Sequence, residues 1–208
     1  MKRSIVLLAS GLLATPVAFG DVSYSYLQGF YTTAYVDFAD GERDDSGPEI
    51  NASYELMDFF HVHGGYQSIE FSELDLDTEV LSLGAGVNHD FSDRQSVFFN
   101  LAVVEADVAV GSVSADADGY SYSLGYRERG RNDRIEFTIS ADHIEFDEDD
   151  VGDSGNTDTS ITTGLQFRIT PRLHIDTAVN FAGDDQYAKI GVRYYLPSWV
   201  ERRQRAAQ

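Results

Sequence analysis

The histidines of this chain are its first candidates for chemistry. His61 and His63 are two residues apart, so on a β-strand their imidazoles project from one face, and imidazole is a common ligand of zinc. His174 falls on the matching face of a later segment. A metal site is therefore one interpretation of these residues. The alternative, which we favour, is a buried hydrogen-bond network with the acidic residues on the same face, Glu55, Glu136 and Asp176.

A second candidate is a histidine that activates water together with acidic residues. Asp142 and His143 are adjacent, and Asp184 and Asp185 follow in a later connection. Adjacent residues on a strand point to opposite faces, so Asp142 and His143 cannot share a site unless a bulge intervenes. A serine–histidine hydrolase is no better supported, because His89 and His143 fall on an apolar face without an evident acidic partner.

The segment 147–153 is superficially similar to a calcium-binding loop. It has Asp at the first and third positions and Gly at the sixth, but Val151 occupies the fifth position and Asp158 replaces the usual Glu at the twelfth. We expect no more than weak, diffuse cation binding there. The sequence thus predicts no catalytic, cofactor-binding or metal-binding residue, and no cofactor.

Composition narrows the class of protein further. The 208 residues include 35 Asp and Glu against 15 Lys and Arg, giving a net charge of −20, and no cysteine. Such an acidic chain is repelled by phosphate backbones, so we predict no nucleic-acid partner. The absence of cysteine excludes disulfides and thiolate metal sites. Disordered chains are poor in aromatic residues, whereas this one has 12 Tyr and 13 Phe, so we expect an ordered structure.

Residues 1–20 are predicted to be a secretory signal peptide. Lys2 and Arg3 precede a short apolar stretch, and Ala18 and Gly20 are small residues suited to cleavage before Asp21. Removal of two of the 15 basic residues changes the net charge from −20 to −22. The chain is therefore expected to be exported.

Strict alternation of apolar and polar residues dominates residues 21–196, as in Ile50–Leu56, Tyr120–Tyr126 and Ile161–Phe167. Alternation with a period of two predicts strands with one apolar and one polar face. The pattern predicts ten strands, with eight as the alternative count, near 22–39, 48–57, 59–71, 78–91, 96–111, 118–128, 134–147, 158–169, 173–183 and 187–196. Tight turns are predicted near 58, 93, 131 and 171, and mostly longer, acidic connections at the other strand ends.

Alternating strands fit two kinds of barrel. A lipocalin-type barrel places the apolar faces inside, and a membrane barrel places them outside. The polar faces here carry charges of both signs, including Glu49, Arg127 and Arg168, which a dry core does not hold. Aromatic residues also gather near strand ends, as they do at membrane interfaces. We therefore predict an all-β, antiparallel, up-and-down transmembrane β-barrel.

Four segments resemble small Gram-negative outer-membrane β-barrel proteins. They are Tyr24–Tyr31, Phe60–Tyr66, Leu83–His89 and the last strand, Ala188–Leu196, and the similarity spans residues 21–196. The resemblance implies an outer-membrane location, both termini in the periplasm and insertion by the barrel assembly machinery. In that family an aromatic residue usually ends the chain, whereas here a basic periplasmic tail, residues 197–208, follows the last strand.

With the tight turns placed in the periplasm, charge separates along the barrel. The outer segments 37–49, 70–79, 116–118, 145–158 and 184–185 are rich in Asp and Glu, while Arg94, Arg129, Arg131, Arg134 and Arg172 lie at the tight turns. An acidic outer rim is compatible with lipopolysaccharide, whose phosphates are bridged by divalent cations. Solvated, soluble loops are the simpler interpretation.

The function predicted from these features is that of a monomeric structural or surface-interaction protein with acidic extracellular loops, not of an enzyme. Arg127, Arg168, Lys189 and Arg193 are expected to fill the lumen by pairing with Glu49, Glu55, Glu136 and Asp142. A narrow channel for small solutes or ions is the alternative, because a barrel of this size lies below those that hold wide aqueous pores.

Overall fold

The computed structural model describes residues 24–38, 41–71, 76–92, 94–147 and 157–197. The predicted signal peptide, the tail beyond Pro197 and the calcium-like segment beyond Asp147 lie outside these residues, so those predictions stay predictions. No helix in the described ranges is long and apolar enough to cross a membrane.

The described residues form ten β-strands, which confirms the predicted count of ten. The strands are β1 (Tyr26–Phe38), β2 (Gly41–Met57), β3 (Phe60–Phe71), β4 (Leu76–Ser92), β5 (Gln95–Val110), β6 (Val113–Arg129), β7 (Ile135–Phe146), β8 (Thr157–Arg168), β9 (Leu173–Ala182) and β10 (Asp185–Tyr195).

Each strand pairs antiparallel with its neighbours in sequence, and β1 pairs with β10, so the sheet is a closed up-and-down barrel. The closing register runs from Tyr26 opposite Tyr195 to Tyr35 opposite Gln186. We call the end with residues 24–25, residues 196–197 and the turns at 58–59, 94, 130–134 and 169–172 the terminal end. The opposite end, with the turns at 111–112 and 183–184, is the distal end.

The distal connections differ from the prediction. Residues 41–48 and 113–118 were expected in long loops, but they continue β2 and β6. The β5–β6 and β9–β10 connections are two-residue turns that begin at Gly111 (φ 59°) and Gly183 (φ 62°), a backbone conformation that glycine adopts without steric cost. Turn-type residues in 111–118 suggested a loop, yet Ser114, Asp116 and Asp118 are strand residues opposite β5. Much of the predicted loop acid is therefore on strands.

The distribution of buried residues is the reverse of that in a soluble protein. Among the described residues, 30 buried side chains are polar or charged and 17 are hydrophobic, while large apolar residues such as Ile50, Leu83 and Leu124 are 60–66% exposed. The apolar outward set spans eight residue steps on β1 (Leu27–Tyr35) and β9 (Leu173–Phe181). At a rise of about 3.3 Å per residue and a tilt of about 40°, this is roughly 20 Å, near the height of the apolar band of membrane barrels. The barrel therefore presents its apolar face to lipid.

Candidate functional site

The lumen is the candidate site, and Arg193 on β10 is central to its terminal half. Its Nε lies 2.9 Å from Oδ2 of Asp176, and its Nη2 donates to Oε1 of Gln28 at 3.1 Å. Nη1 donates to the Tyr195 hydroxyl at 3.3 Å, and the guanidinium carbon lies 4.4 Å from the centroid of the Tyr26 ring. Gln28 also donates to Asp176. Because Gln28 and Arg193 are partners across β1 and β10, this cluster joins the strands that close the barrel.

A second buried arginine, Arg127 on β6, occupies the opposite wall. Its Nε donates to Ser96 Oγ on β5, and its Nη2 lies 3.6 Å from Oδ1 of Asp90 on β4. The guanidinium carbon lies 5.2 Å from the centroid of the Tyr24 ring, which stacks on the His61 ring with centroids 4.3 Å apart. Arginine over an aromatic face is a favourable contact when both groups are withdrawn from water. The two arginine clusters fill the terminal half of the lumen with side chains.

The three candidate histidines all lie in the lumen, as predicted, but in two places. The His61 and His63 rings are 5.9 Å apart, and His61 Nε2 lies 3.0 Å from Oδ1 of Asn100. His174 Nδ1 instead lies 2.8 Å from Oε1 of Gln166 on another wall. Within the described ranges, no three His, Asp or Glu side chains are grouped so that they could hold a metal ion. The arrangement is that of a hydrogen-bond network.

A buried ion pair lies farther from the terminal end. Lys189 Nζ on β10 lies 2.6 Å from Oε2 of Glu49 on β2, and the two side chains are 1% and 2% exposed. Thr32 Oγ1 donates to the same oxygen at 3.2 Å, and Asn51 Nδ2 donates to Glu49 Oε1 at 2.7 Å. A buried carboxylate is tolerated when its charge is paired and its other lone pairs accept hydrogen bonds. This layer meets both conditions.

Asp142 and His143 do not share a site, as expected for adjacent strand residues. Asp142 Oδ2 accepts hydrogen bonds from Ser140 at 3.0 Å and Thr162 at 2.8 Å inside the lumen. His143 points outward, where its Nδ1 lies 2.8 Å from Thr159 Oγ1. A water-activating pair is therefore not formed by these two residues.

The predicted pairing of lumen charges is correct only in part. Lys189 pairs with Glu49 as predicted, but the partners of Arg193 and Arg127 are Asp176 and Asp90. Arg168 is the clear error, because β8 ends at this residue and its side chain is exposed at the terminal end. Two of the predicted carboxylates also have other partners than expected. Glu136 pairs with Arg129 at 3.6 Å, and Glu55 accepts from the backbone N–H of Tyr24 at 3.2 Å.

The distal part of the lumen is apolar, which sequence reasoning missed. Twelve buried side chains close it, and we call them the apolar cap. They are Ala34, Ile69, Phe71, Leu76, Val80, Val104, Ala106, Val108, Ile144, Phe146, Ala182 and Tyr187. None is more than 6% exposed. A side chain that lines an open aqueous channel is accessible to water, whereas the side chains of the cap are buried.

The outer faces of the same strand segments are acidic. Eight exposed carboxylates form what we call the acidic collar: Glu70, Asp77, Glu79, Glu105, Asp107, Asp116, Asp118 and Glu145. Several are direct cross-strand partners. Asp107 lies opposite both Glu79 and Asp116, and Glu105 lies opposite Asp118. Like charges opposite each other destabilise a sheet unless counter-charges are present.

The polarity of the strands thus inverts along their length. On β5, outward residues change from apolar at Val103 to acidic at Glu105, while inward residues change to apolar from Ala102 onward. Apolar inside and charged outside is the pattern of a barrel in water. The inversion therefore marks where the barrel leaves the lipid. The signal was present in the sequence, because Val104, Ala106 and Val108 still alternate with Glu105 and Asp107, with the phase reversed.

Some buried polar atoms have no protein partner among the described residues. A set of them lies along the inner faces of β3 and β4: Asn88 Oδ1, His61 Nδ1, His63 Nε2, both amide atoms of Gln67, and Thr78 Oγ1. Buried polar atoms of this kind are usually satisfied by internal water. This wall is where the lumen is best suited to hold water beneath the cap.

No family model and no curated protein sequence matches the chain. Similar solved structures include Neisserial surface protein A (TM-score 0.45, 15% identity, covering 84% of this chain and 98% of that one) and the NanC porin (0.47, 12%, 83% and 100%). A third is the transport unit of the autotransporter AIDA-I from Escherichia coli (0.49, 11%, 94% and 98%). The closed antiparallel ten-stranded barrel confirms the predicted fold class. A barrel fold does not by itself define a role.

Proposed function

We propose that this chain is an outer-membrane β-barrel that anchors an acidic interaction surface, with a lumen that does not conduct. The observation that carries the proposal is the apolar cap, closed over the buried Lys189–Glu49 pair. A sealed lumen leaves the collar and the distal connections as the parts able to meet a partner. We do not propose an enzyme, because the hydroxyl groups bonded to Asp142 in the described part of the lumen lie beneath the cap, away from any substrate.

Planar-bilayer recording of the refolded mature chain tests the sealed lumen. We expect no unitary currents from the unaltered protein. A variant with Phe71→Ser and Phe146→Ser removes the two phenylalanine rings of the cap and is expected to conduct. The matched control replaces two outward-facing rings, Phe137→Ser and Phe167→Ser, and is expected to stay silent. Stable currents from the unaltered protein would refute the proposal in favour of the narrow channel.

The narrow channel is the second candidate, and the wall of unpartnered polar atoms on β3 and β4 favours it. Water along this wall would reach from the terminal end to the underside of the cap. In that case the cap acts as an apolar constriction that blocks ions by excluding water. The conductance experiment separates the two candidates, because a channel needs the cap to open in the native chain.

For the acidic collar we propose lipopolysaccharide as the partner, held through divalent cations. The collar begins where the apolar outer face ends, which is the depth of lipid head groups, and its cross-strand carboxylates need counter-charge. The variant Glu105→Gln/Asp107→Asn is expected to retain less lipopolysaccharide in the presence of Mg²⁺, and EDTA is expected to have the same effect on the unaltered chain. Retention that is unchanged by both treatments would refute this partner.

Location and assembly are tested with intact cells. We expect the mature chain, cleaved near Asp21, to fractionate with the outer membrane as a monomer after insertion by the barrel assembly machinery. A folded barrel is expected to resist SDS and to change its mobility on a gel only after boiling. Recovery in the soluble fraction would contradict the proposed location.

A further inference from the structure

The terminal end of the barrel carries a set of exposed or half-buried arginines that form none of the lumen contacts described above. We call Arg94, Arg131, Arg134, Arg168 and Arg172 the arginine rim. They lie on three successive terminal turns, between β4 and β9. Backbone hydrogen bonds of 2.8 Å connect the neighbouring strand ends, from Arg129 N to Arg94 O and from Arg168 N to Arg134 O. The rim is therefore one continuous cationic patch.

The five rim arginines outnumber the acidic residues near them in the sequence, which are Asp90, Asp93, Glu128 and Asp133. Glu136 pairs with Arg129, and Asp90, whose side chain is 46% exposed, lies 3.6 Å from Arg127, so both carboxylates already have an arginine partner. Among the described residues, none of the five rim guanidinium groups forms an ion pair. Glu128 accepts a hydrogen bond from the Tyr126 hydroxyl at 3.2 Å, and Asp133 is the carboxylate within the β6–β7 turn. The rim thus keeps a small surplus of positive charge, carried by guanidinium groups that have no ion-pair partner among the described residues.

Large apolar side chains border the rim on its membrane side. Phe91 is 62% exposed beside the β4–β5 turn, and Ile169 is 57% exposed at the end of β8. Ile135 follows Arg134 directly and is 39% exposed. Arginine above exposed apolar residues is the arrangement found where a protein crosses from acyl chains to head groups. This arrangement fits an amphiphile whose anionic group is joined to an acyl chain. A soluble polyanion would contact the arginines but would leave the apolar side chains beside them without a partner.

The patch is also one-sided. The remaining described turn at this end, between β2 and β3, contains Asp58 and Phe59 and no basic residue. Among the residues that the structure describes, the exposed or half-buried arginines of this end cover the arc from β4 to β9. An anionic ligand is therefore directed to one side of the barrel.

We propose that the arginine rim binds the phosphate groups of anionic phospholipids in the leaflet at the terminal end. The planar guanidinium group donates two parallel hydrogen bonds to a phosphate, and clustered arginines beside a membrane select lipids with net negative charge. The exposed residues Phe91, Ile135 and Ile169 contact the acyl chains of the same lipids. This site is independent of the cap and of the acidic collar, which lies at the opposite end.

Native mass spectrometry of the folded chain in non-ionic detergent tests the proposal, with phosphatidylglycerol and phosphatidylethanolamine added separately. We expect preferential binding of phosphatidylglycerol. The variant Arg134→Gln/Arg168→Gln is expected to bind it about fivefold more weakly for each arginine removed. Both side chains are exposed, so we expect heat modifiability on a gel to show an intact barrel.

The control variant Ser112→Asp/Ser114→Asp changes the net charge by the same amount at the distal end and is expected to bind phosphatidylglycerol normally. Equal binding of the two lipids, or a weaker affinity in the control as large as in the arginine variant, would overturn the proposal. Millimolar inorganic phosphate distinguishes the source of the phosphate. Displacement of phosphatidylglycerol by phosphate alone would show a free-phosphate site and would overturn the assignment to lipid.

Discussion

The Lys189–Glu49 pair offers the sharpest test of how the lumen is held together. Lys189→Met removes the cation while keeping the length of the side chain, and it leaves the Glu49 carboxylate buried with only the hydrogen bonds from Thr32 and Asn51. Breaking a buried ion pair by removing one partner costs about 3–5 kcal/mol, because the remaining charge is uncompensated. The two side chains are 1% and 2% exposed, so solvent screening is minimal and we expect the cost to fall in this range.

The assay is denaturant unfolding of the detergent-refolded barrel, followed by the loss of its SDS resistance, for four proteins of a double-mutant cycle. Glu49→Gln alone is expected to destabilise as well, because Lys189 then lacks its anion. The double variant Lys189→Met/Glu49→Gln is expected to recover most of the loss, since no unpaired charge remains. Additive losses in the double variant, or a loss below about 1 kcal/mol for Lys189→Met, would refute a buried, coupled pair.

Three further substitutions test the membrane face, the lumen packing and the cap, each by the free energy of unfolding. Leu165→Arg on the apolar band is expected to cost roughly 2–4 kcal/mol, whereas Val113→Arg, at the distal tip of β6 where the side chain is 69% exposed, is expected to change stability by less than about 0.5 kcal/mol. An equal loss of unfolding free energy in the two variants would show that Leu165 does not face lipid. Gly29→Ala, whose Cβ meets no atom within 4 Å, is expected to gain up to about 1 kcal/mol, and Gly86→Ala to lose stability because its Cβ meets the His61 ring. Ile69→Ala in the cap is expected to cost about 2–5 kcal/mol, and a loss under 1 kcal/mol would show that the cap is loosely packed.

The barrel was predictable because the two-residue alternation of apolar and polar side chains indicates which face of each strand is turned to lipid. Ile50 and Leu124 were assigned outward, and Glu49 and Arg127 inward, from alternation alone, and the structure places them there. The partners of the inward charges were not predictable in the same way. A contact across the lumen, such as Arg193 with Asp176, depends on strand tilt and stagger, which a single strand's pattern does not contain.

The error at the distal end has a different cause. The prediction assumed one fixed phase of alternation along each strand, so the start of β6 was assigned to a loop. Strand pairing continues there without interruption, with Ala106 opposite Ala117 and Asp107 opposite Asp116. The reversal of phase was the informative signal, since it is what a strand shows when it passes from lipid into water.

The reversal also explains how one chain of net charge −20 is stable in a membrane. Where lipid surrounds the barrel, the outer face has to be apolar, and charges such as Arg193 and Asp176 are held in the lumen, where they pair with each other. Where water surrounds it, burial of Val104 and Ile144 inside the barrel is favourable, and carboxylates on the outer face cost little. The two arrangements exclude each other on a given strand segment, so the level at which they exchange is set by the thickness of the lipid layer. The acid is therefore concentrated beyond that level for a physical reason, and the apolar cap follows from the same requirement.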